Sequence, residues 1–90
     1  MKSVMTSDQE HCYFCHAPTT MTHAIFGGPS YECHAMQDGL WIPICWKCKV
    51  EIHNERSQRT IFSLRRKAQL IFEETHSNDE FRKRYGKDFL

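Results

Sequence analysis

The chain has 90 residues, of which 40% are hydrophobic and 26% are charged, as expected for one folded domain. Its net charge of +1 does not by itself imply a nucleic-acid or membrane partner, and no run of about 18 apolar residues could form a transmembrane helix. The N-terminal region lacks the apolar block of a secretory signal, so we expect a cytoplasmic protein with no membrane partner, whose five cysteines stay reduced.

The first ten residues are polar and lack periodicity, which predicts a flexible N-terminal arm over residues 1–10. Residues 11–90 then form a single domain. A domain of this size buries a small core and often needs an additional stabilising cross-link, for which the cysteines are candidates.

Two short strands are predicted in the first half of the chain. The β-rich run over residues 20–26 ends at a Gly-Gly-Pro breaker, and a second apolar run covers residues 40–45. Pro43 has no N–H group, so the second strand is expected to have an edge or an interrupted ladder there. Residues 27–39 show no clear period and are predicted to form a loop with at most one helical turn.

Three helices are predicted in the second half, over residues 46–54, over residues 60–75 and after Ser77. The second helix carries one apolar stripe at helical spacing, formed by Ile61, Leu64, Ala68, Ile71, Phe72 and Thr75. Ser77 and Glu80 have the spacing of a capping box, and Gly86 is a natural residue to follow the last helix.

Charge is distributed unevenly, with −3 over residues 1–45 and +4 over residues 46–90. One interpretation is solvated helix faces with ion pairs. The other is a basic surface that binds the phosphates of DNA. Its candidate residues are Lys47, Lys49, Arg56, Arg59 and the run Arg65-Arg66-Lys67.

Two CxxC pairs, Cys12 with Cys15 and Cys45 with Cys48, are separated by 29 residues. Each pair offers two thiolates to one ion, and two such pairs complete the tetrahedral shell of a structural Zn²⁺. The alternatives are reduced core cysteines or a redox pair, but redox pairs usually occur singly in a βαβ unit, which is not predicted here. We therefore predict a four-cysteine zinc site.

Three further residues lie near these pairs or between them. Cys33 is interpreted as a partly buried thiol, and His11 and His16 are the minority candidates to replace a cysteine ligand.

Several segments share their order and spacing with a known family. They are Cys12-x-x-Cys15, His23-Ala-Ile-Phe-Gly-Gly28, Gly39-Leu-Trp-Ile-Pro-Ile-Cys45, Cys48, Ile52-His53 and the tail Tyr85-Gly-Lys-Asp-Phe89. Over residues 12–90 the chain therefore resembles the zinc-knuckled HNH endonucleases of phages and prophages. The resemblance implies an α+β fold with a ββα treble-clef centre and C-terminal helices, located in the host cytoplasm if the protein is phage-encoded.

The resemblance also implies a site for phosphodiester hydrolysis, built from His23, His53 and a second divalent ion such as Mg²⁺. The chain departs from the family at this site. In one alignment His23 is the strand metal ligand and Ala24 occupies the position of the general base; in the other His23 is the base and Thr22 replaces the ligand. Lys49 stands where the family has a helical histidine.

These departures predict weak or absent cleavage, unless Glu32 or His34 supplies the missing ligand. The function expected from the sequence is an HNH-like zinc protein that binds nucleic acid. The alternative is a non-catalytic zinc module that acts as a protein-binding adaptor or inhibitor.

Overall fold

The computed structural model describes residues 2–52 and 58–90, and in these two ranges it contains two strands and four helices. In chain order they are β1 (Thr22–Ala24), α1 (Pro29–Asp38), β2 (Trp41–Pro43), α2 (Trp46–Ile52), α3 (Gln58–Glu73) and α4 (Asn78–Tyr85). The predicted α+β class is confirmed. Residues 53–57, which include His53 and Arg56, lie outside the described residues.

The two strands form one antiparallel pair, in which His23 lies opposite Ile42 and Thr22 lies opposite Pro43. Both strands are three residues long and lie within the predicted runs. The Pro43 carbonyl accepts a hydrogen bond from the Tyr13 N–H at 2.8 Å, outside the strand pair. In this pair β2 is an edge strand, which is one of the two predicted outcomes. The ladder is not interrupted at the proline, because the Ile44 N–H donates to the Met21 carbonyl at 3.1 Å, one residue beyond Pro43.

The prediction of a loop over residues 27–39 is wrong, because most of that segment is helix α1. Gly28 is its N-cap with φ 104°, Pro29 occupies the first turn, and Gly39 closes the helix with φ 76°. Glycine adopts positive φ without steric cost, and proline is favoured at a helix start. The helix has almost no apolar stripe, since Ala35 is its fully buried side chain, so periodicity alone could not identify it.

Helix α3 carries the predicted stripe, with Leu64, Ala68 and Phe72 buried. Ile61 and Ile71 are partly buried against the same core, whereas the predicted stripe residue Thr75 is exposed, beyond the end of the helix. Its apolar face packs on α4 and α2, and the polar face is left to solvent.

Helix α4 begins and ends as its sequence predicts. The Glu80 N–H donates to the Ser77 hydroxyl at 3.1 Å, and Gly86 follows the helix in the left-handed conformation. Phe81 and Tyr85 lie buried on its inner face, where they contact Phe26. The C-terminal helices thus form an aromatic core with Phe26, which lies just after β1.

In the segment predicted as a flexible arm, residues 2–10 make specific contacts in the structure. Met5 and Ser3 are buried, the Ser3 hydroxyl donates to the Trp41 carbonyl, and the Val4 N–H donates to the Gly39 carbonyl at 2.8 Å. This segment packs along the end of α1 and the start of β2. Its predicted flexibility stays a prediction.

Candidate metal centre and nucleic-acid surface

The four CxxC thiols converge at one point of the fold. Their Sγ atoms all lie within 4.8 Å of one another, and the sulfurs of Cys15 and Cys45 are 3.5 Å apart. A Zn–S bond of about 2.3 Å places the sulfurs of a tetrahedral site about 3.8 Å apart. The two pairs could therefore share one metal ion with little rearrangement.

The first pair lies on a tight turn held by its own backbone. The Cys12 N–H donates to the Ala17 carbonyl at 2.7 Å, and the His16 N–H donates to the Cys12 carbonyl at 3.0 Å. His16 has a φ of 64°, which reverses the chain directly after Cys15. An isolated bridge between His11 and Pro18 closes the turn, so both thiols point to the same side.

The second pair joins β2 to α2, with Cys48 in the first turn of the helix. The Lys49 N–H donates to the Cys45 carbonyl at 2.9 Å, which starts the helix between the two cysteines. The Thr19 hydroxyl donates to the Ile44 carbonyl at 3.0 Å and ties this junction to the chain that leaves the first turn. The strand pair therefore fixes the separation of the two CxxC turns.

The thiols differ in their electrostatic environment. Burial raises the pKa of Cys12, but hydrogen bonds from backbone N–H groups outweigh it and bring the pKa to about 6. For Cys48, burial and the neighbouring thiols both raise the pKa. One thiol is thus prepared for ionisation, whereas a fourth negative sulfur is unfavourable unless a cation is present.

Cys33 and the two histidines predicted as replacement ligands, His11 and His16, lie outside the thiol cluster. Among the described residues, the group close enough to hold an ion comprises the four CxxC cysteines. The prediction of a partly buried Cys33 thiol is wrong, because Cys33 is exposed on α1, where Gln37 approaches its sulfur at 3.9 Å. His11 Nδ1 faces Asp8 at 3.0 Å, in a partly exposed pair.

A second feature is a cavity of about 320 Å³ beside β1, here called the His23 hollow. It is lined by Thr22, His23, Ala24, Glu32, Met36 and Lys49. The structure thus brings His23 from the strand and Lys49 from α2 to one surface depression. Glu32 reaches it because α1 is a helix.

The other loop candidate, His34, faces away from this hollow. Its Nδ1 lies 2.9 Å from the Arg84 carbonyl oxygen, and its ring makes an edge contact with Tyr85. His34 therefore links α1 to α4. Of the two proposed replacement ligands, Glu32 is the one that lines the hollow.

The predicted basic residues are partly described. Lys47 is exposed on α2, Lys49 is half-buried in the His23 hollow, and Arg59 is exposed on α3. Arg56 and the predicted catalytic residue His53 fall outside the described residues. The nucleic-acid and catalytic roles of all these side chains stay predictions.

No family model, curated protein or solved structure matches the chain. The resemblance to HNH endonucleases thus stays an expectation based on the quoted motifs. Within residues 2–52 and 58–90, no helix combines the length and apolarity needed to cross a bilayer.

Proposed function

We propose that this chain is a zinc-stapled, HNH-like protein that binds DNA. The observation that carries the proposal is the convergence of four thiols within 4.8 Å, contributed by two CxxC turns on either side of an antiparallel strand pair. Four thiolates in a tetrahedral arrangement favour Zn²⁺ over harder ions such as Mg²⁺ or Ca²⁺. The zinc would hold the first turn against the start of α2.

The order of elements supports the HNH-like part of the proposal. A CxxC turn, an antiparallel strand pair and a second CxxC pair at a helix start follow one another, with α1 inserted between the strands. His23 on β1 and Lys49 on α2 line one hollow. These are the two elements that would face a scissile phosphate in a ββα site.

The residues that line the His23 hollow have different roles in the proposed function. The Lys49 ammonium attracts a DNA phosphate, and Lys47 on the same helix extends the basic surface. His23 would serve as the general base or as a metal ligand, depending on which of the two alignments with the HNH motif applies. A second divalent ion, if bound, would be held by His23, Glu32 and the predicted His53, and it would stabilise the leaving oxygen.

Binding is expected to be electrostatic and insensitive to sequence. Each phosphate contact contributes about −0.9 to the slope of log affinity against log salt for duplex DNA. The double variant Lys47→Glu/Lys49→Glu should therefore bind more weakly, with a slope shallower by about 1 to 2. Fluorescence anisotropy of a labelled duplex across a salt series measures both quantities.

The matched control is Lys2→Glu/Lys83→Glu, because it changes the net charge equally at two exposed lysines away from the His23 hollow. It should leave the slope close to that of the unmodified protein. Equal effects of the two double variants would contradict a localised DNA surface.

The adaptor or inhibitor hypothesis is favoured by one observation on α2. Trp46 and Val50 are 64% and 63% exposed and stand four residues apart on the same helix. Tryptophan is enriched at the centres of protein interfaces. If the Lys47→Glu/Lys49→Glu variant keeps the affinity and slope of the unmodified protein, this hypothesis replaces DNA binding.

Cleavage by the unmodified protein is expected to be weak or absent. Ala24 and Lys49 both line the His23 hollow. The resemblance expects histidine at position 49 and, in the alignment that makes His23 a metal ligand, at position 24. A general base contributes about 10²–10⁴-fold. The double variant Ala24→His/Lys49→His should therefore raise plasmid nicking in Mg²⁺, Mn²⁺ or Ni²⁺ by about 10²-fold or more.

The control for this gain is Lys2→His/Lys83→His, which adds two imidazoles outside the hollow. It should nick no faster than the unmodified protein. A folded Ala24→His/Lys49→His variant that does not nick would contradict the HNH-like site. Strong nicking by the unmodified protein, abolished by His23→Ala, would instead show that the present residues suffice for catalysis.

A further inference from the structure

A second hollow, of about 230 Å³, lies between the Gly27-Gly28 turn, α1, α3 and the end of α4. It is called the Tyr31 hollow here, and its described lining consists of Phe26, Gly27, Tyr31, Arg65, Tyr85, Gly86, Lys87 and Phe89. The lining combines aromatic rings, two cations and two glycines. Arg65 is one of the basic residues predicted to contact DNA, whereas Lys47 and Lys49 do not line this hollow.

The two cations of this hollow converge on one aromatic ring. The Arg65 guanidinium carbon is 5.7 Å from the centre of the Phe89 ring, and the Lys87 ammonium is 5.2 Å from it. Arg65 Nε also donates to the Ile25 carbonyl at 3.4 Å, which orients the guanidinium. No carboxylate belongs to the described lining, so the two positive charges favour an anion between them.

Tyr31 supplies an aromatic surface at the mouth of the hollow. A Cβ atom added to Gly28 would lie 3.3 Å from the Tyr31 ring, and one added to Gly86 would overlap its hydroxyl. The ring is therefore seated between two glycines, while the residue is still 39% exposed. A planar group could stack on it without displacing a core side chain.

We propose that the Tyr31 hollow binds one nucleotide, with its base on Tyr31 and its phosphate between Arg65 and Lys87. The ligand needs a flat ring and a negative charge, and it must be small because the cavity holds only about 230 Å³. A base inside a duplex is stacked on both faces, so an unpaired strand or a free mononucleotide is required.

The position of the hollow favours the unpaired strand as the source of the nucleotide. Ala24 lines the His23 hollow and Gly27 lines the Tyr31 hollow, so the two walls are at most about 11 Å apart along the chain. Tyr31 and Glu32 similarly face the two hollows from adjacent positions of α1. The strand case rests on the proposed DNA function, whereas the mononucleotide case does not.

Binding of four probes tests the inference: an oligodeoxythymidylate, a duplex of equal length, thymidine monophosphate and inorganic phosphate. Stacking of one base on an aromatic residue corresponds to about 5- to 150-fold in affinity. Tyr31→Leu should lower the affinity for the oligodeoxythymidylate by this factor and change the affinity for the duplex by less than twofold. Lys87→Gln should also lower the affinity for the oligodeoxythymidylate, and the slope of log affinity against log salt should become shallower by about 0.7.

The matched controls are Phe62→Leu and Lys83→Gln, because both residues are exposed and neither lines the hollow. Thermal unfolding of each variant separates lost binding from lost structure, and Lys87→Gln tests the site if Tyr31→Leu fails to fold. If the binding of thymidine monophosphate depends on Tyr31, the hollow binds free nucleotides. If only the binding of the oligodeoxythymidylate depends on Tyr31, the hollow binds an unpaired strand.

The inference is overturned if Tyr31→Leu and Lys87→Gln bind all four probes like their controls. It is also overturned if inorganic phosphate binds as tightly as the nucleotide, since the ring would then contribute nothing. The Lys47→Glu/Lys49→Glu variant keeps the two proposals distinct. If this variant loses duplex binding while Tyr31→Leu binds all four probes like its control, the DNA function is supported and the nucleotide site is rejected.

Discussion

Replacing Cys45 by serine is expected to remove the bound metal and, with it, cooperative unfolding. The Cys45 sulfur lies 3.5 Å from that of Cys15, in the cluster that joins the two CxxC turns. Zinc binding supplies about 10–16 kcal/mol of apparent folding free energy in small domains. A whole domain has a stability of only about 5–15 kcal/mol, so this chain should not stay folded without it.

Circular dichroism during heating, together with the metal content, measures this outcome. Cys33→Ser is the matched control, because Cys33 is exposed on α1 and lies outside the thiol cluster. It should keep both the metal and a sharp transition. Retention of the metal by Cys45→Ser would show that the cluster is not the binding site.

Truncating Phe81 to alanine is expected to cost about 3–5 kcal/mol of unfolding free energy, the usual range for a buried phenylalanine. The Phe81 side chain is fully buried. Its ring centre lies 4.9 Å from that of Tyr85, 5.5 Å from that of Phe26 and 5.7 Å from that of Phe72. The variant would therefore leave a cavity where α3, α4 and the turn after β1 meet.

Urea unfolding of the zinc-loaded protein measures this loss. Phe62→Ala removes the same side chain from a position that is 50% exposed on α3, and it should change the unfolding free energy by about 0.5 kcal/mol or less. An equal loss in the two variants would contradict the aromatic core described here.

Much of the fold was predictable because its signals are local. The CxxC pairs, the Ser77 cap and the stripe on α3 each depend on spacing within a few residues, and each is present in the structure. Helix α1 was missed because it carries one fully buried side chain and no stripe. Its caps, Gly28-Pro29 and Gly39, are start and stop signals for a helix, but they equally indicate a loop.

A buried glutamine shows a second limit of sequence patterns. Gln69 is fully buried on α3, where its Nε2 donates to Asp88 at 2.7 Å and its Oε1 accepts from the Phe89 N–H at 2.7 Å. Its partners lie 19 and 20 residues further along the chain, so no local pattern identifies them. It holds the C-terminal tail against α3 and so positions Phe89 beneath the Tyr31 hollow.

The residues of the candidate sites were predictable only where local spacing or the family resemblance identifies them. Both CxxC pairs, His23 and Lys49 could be chosen from spacing and resemblance. Glu32 could be placed only once α1 was known to be a helix. Arg65, which stood in a run of three basic residues, and Lys87 meet at Phe89 through tertiary packing alone.

We propose that four thiolates hold one structural zinc ion in this chain. Elemental analysis of the protein purified under reducing conditions, combined with native mass spectrometry, measures it most directly. We expect one zinc ion per chain in the unmodified protein and in Cys33→Ser, and none in Cys45→Ser. A metal-free protein that still unfolds cooperatively would contradict a structural zinc site.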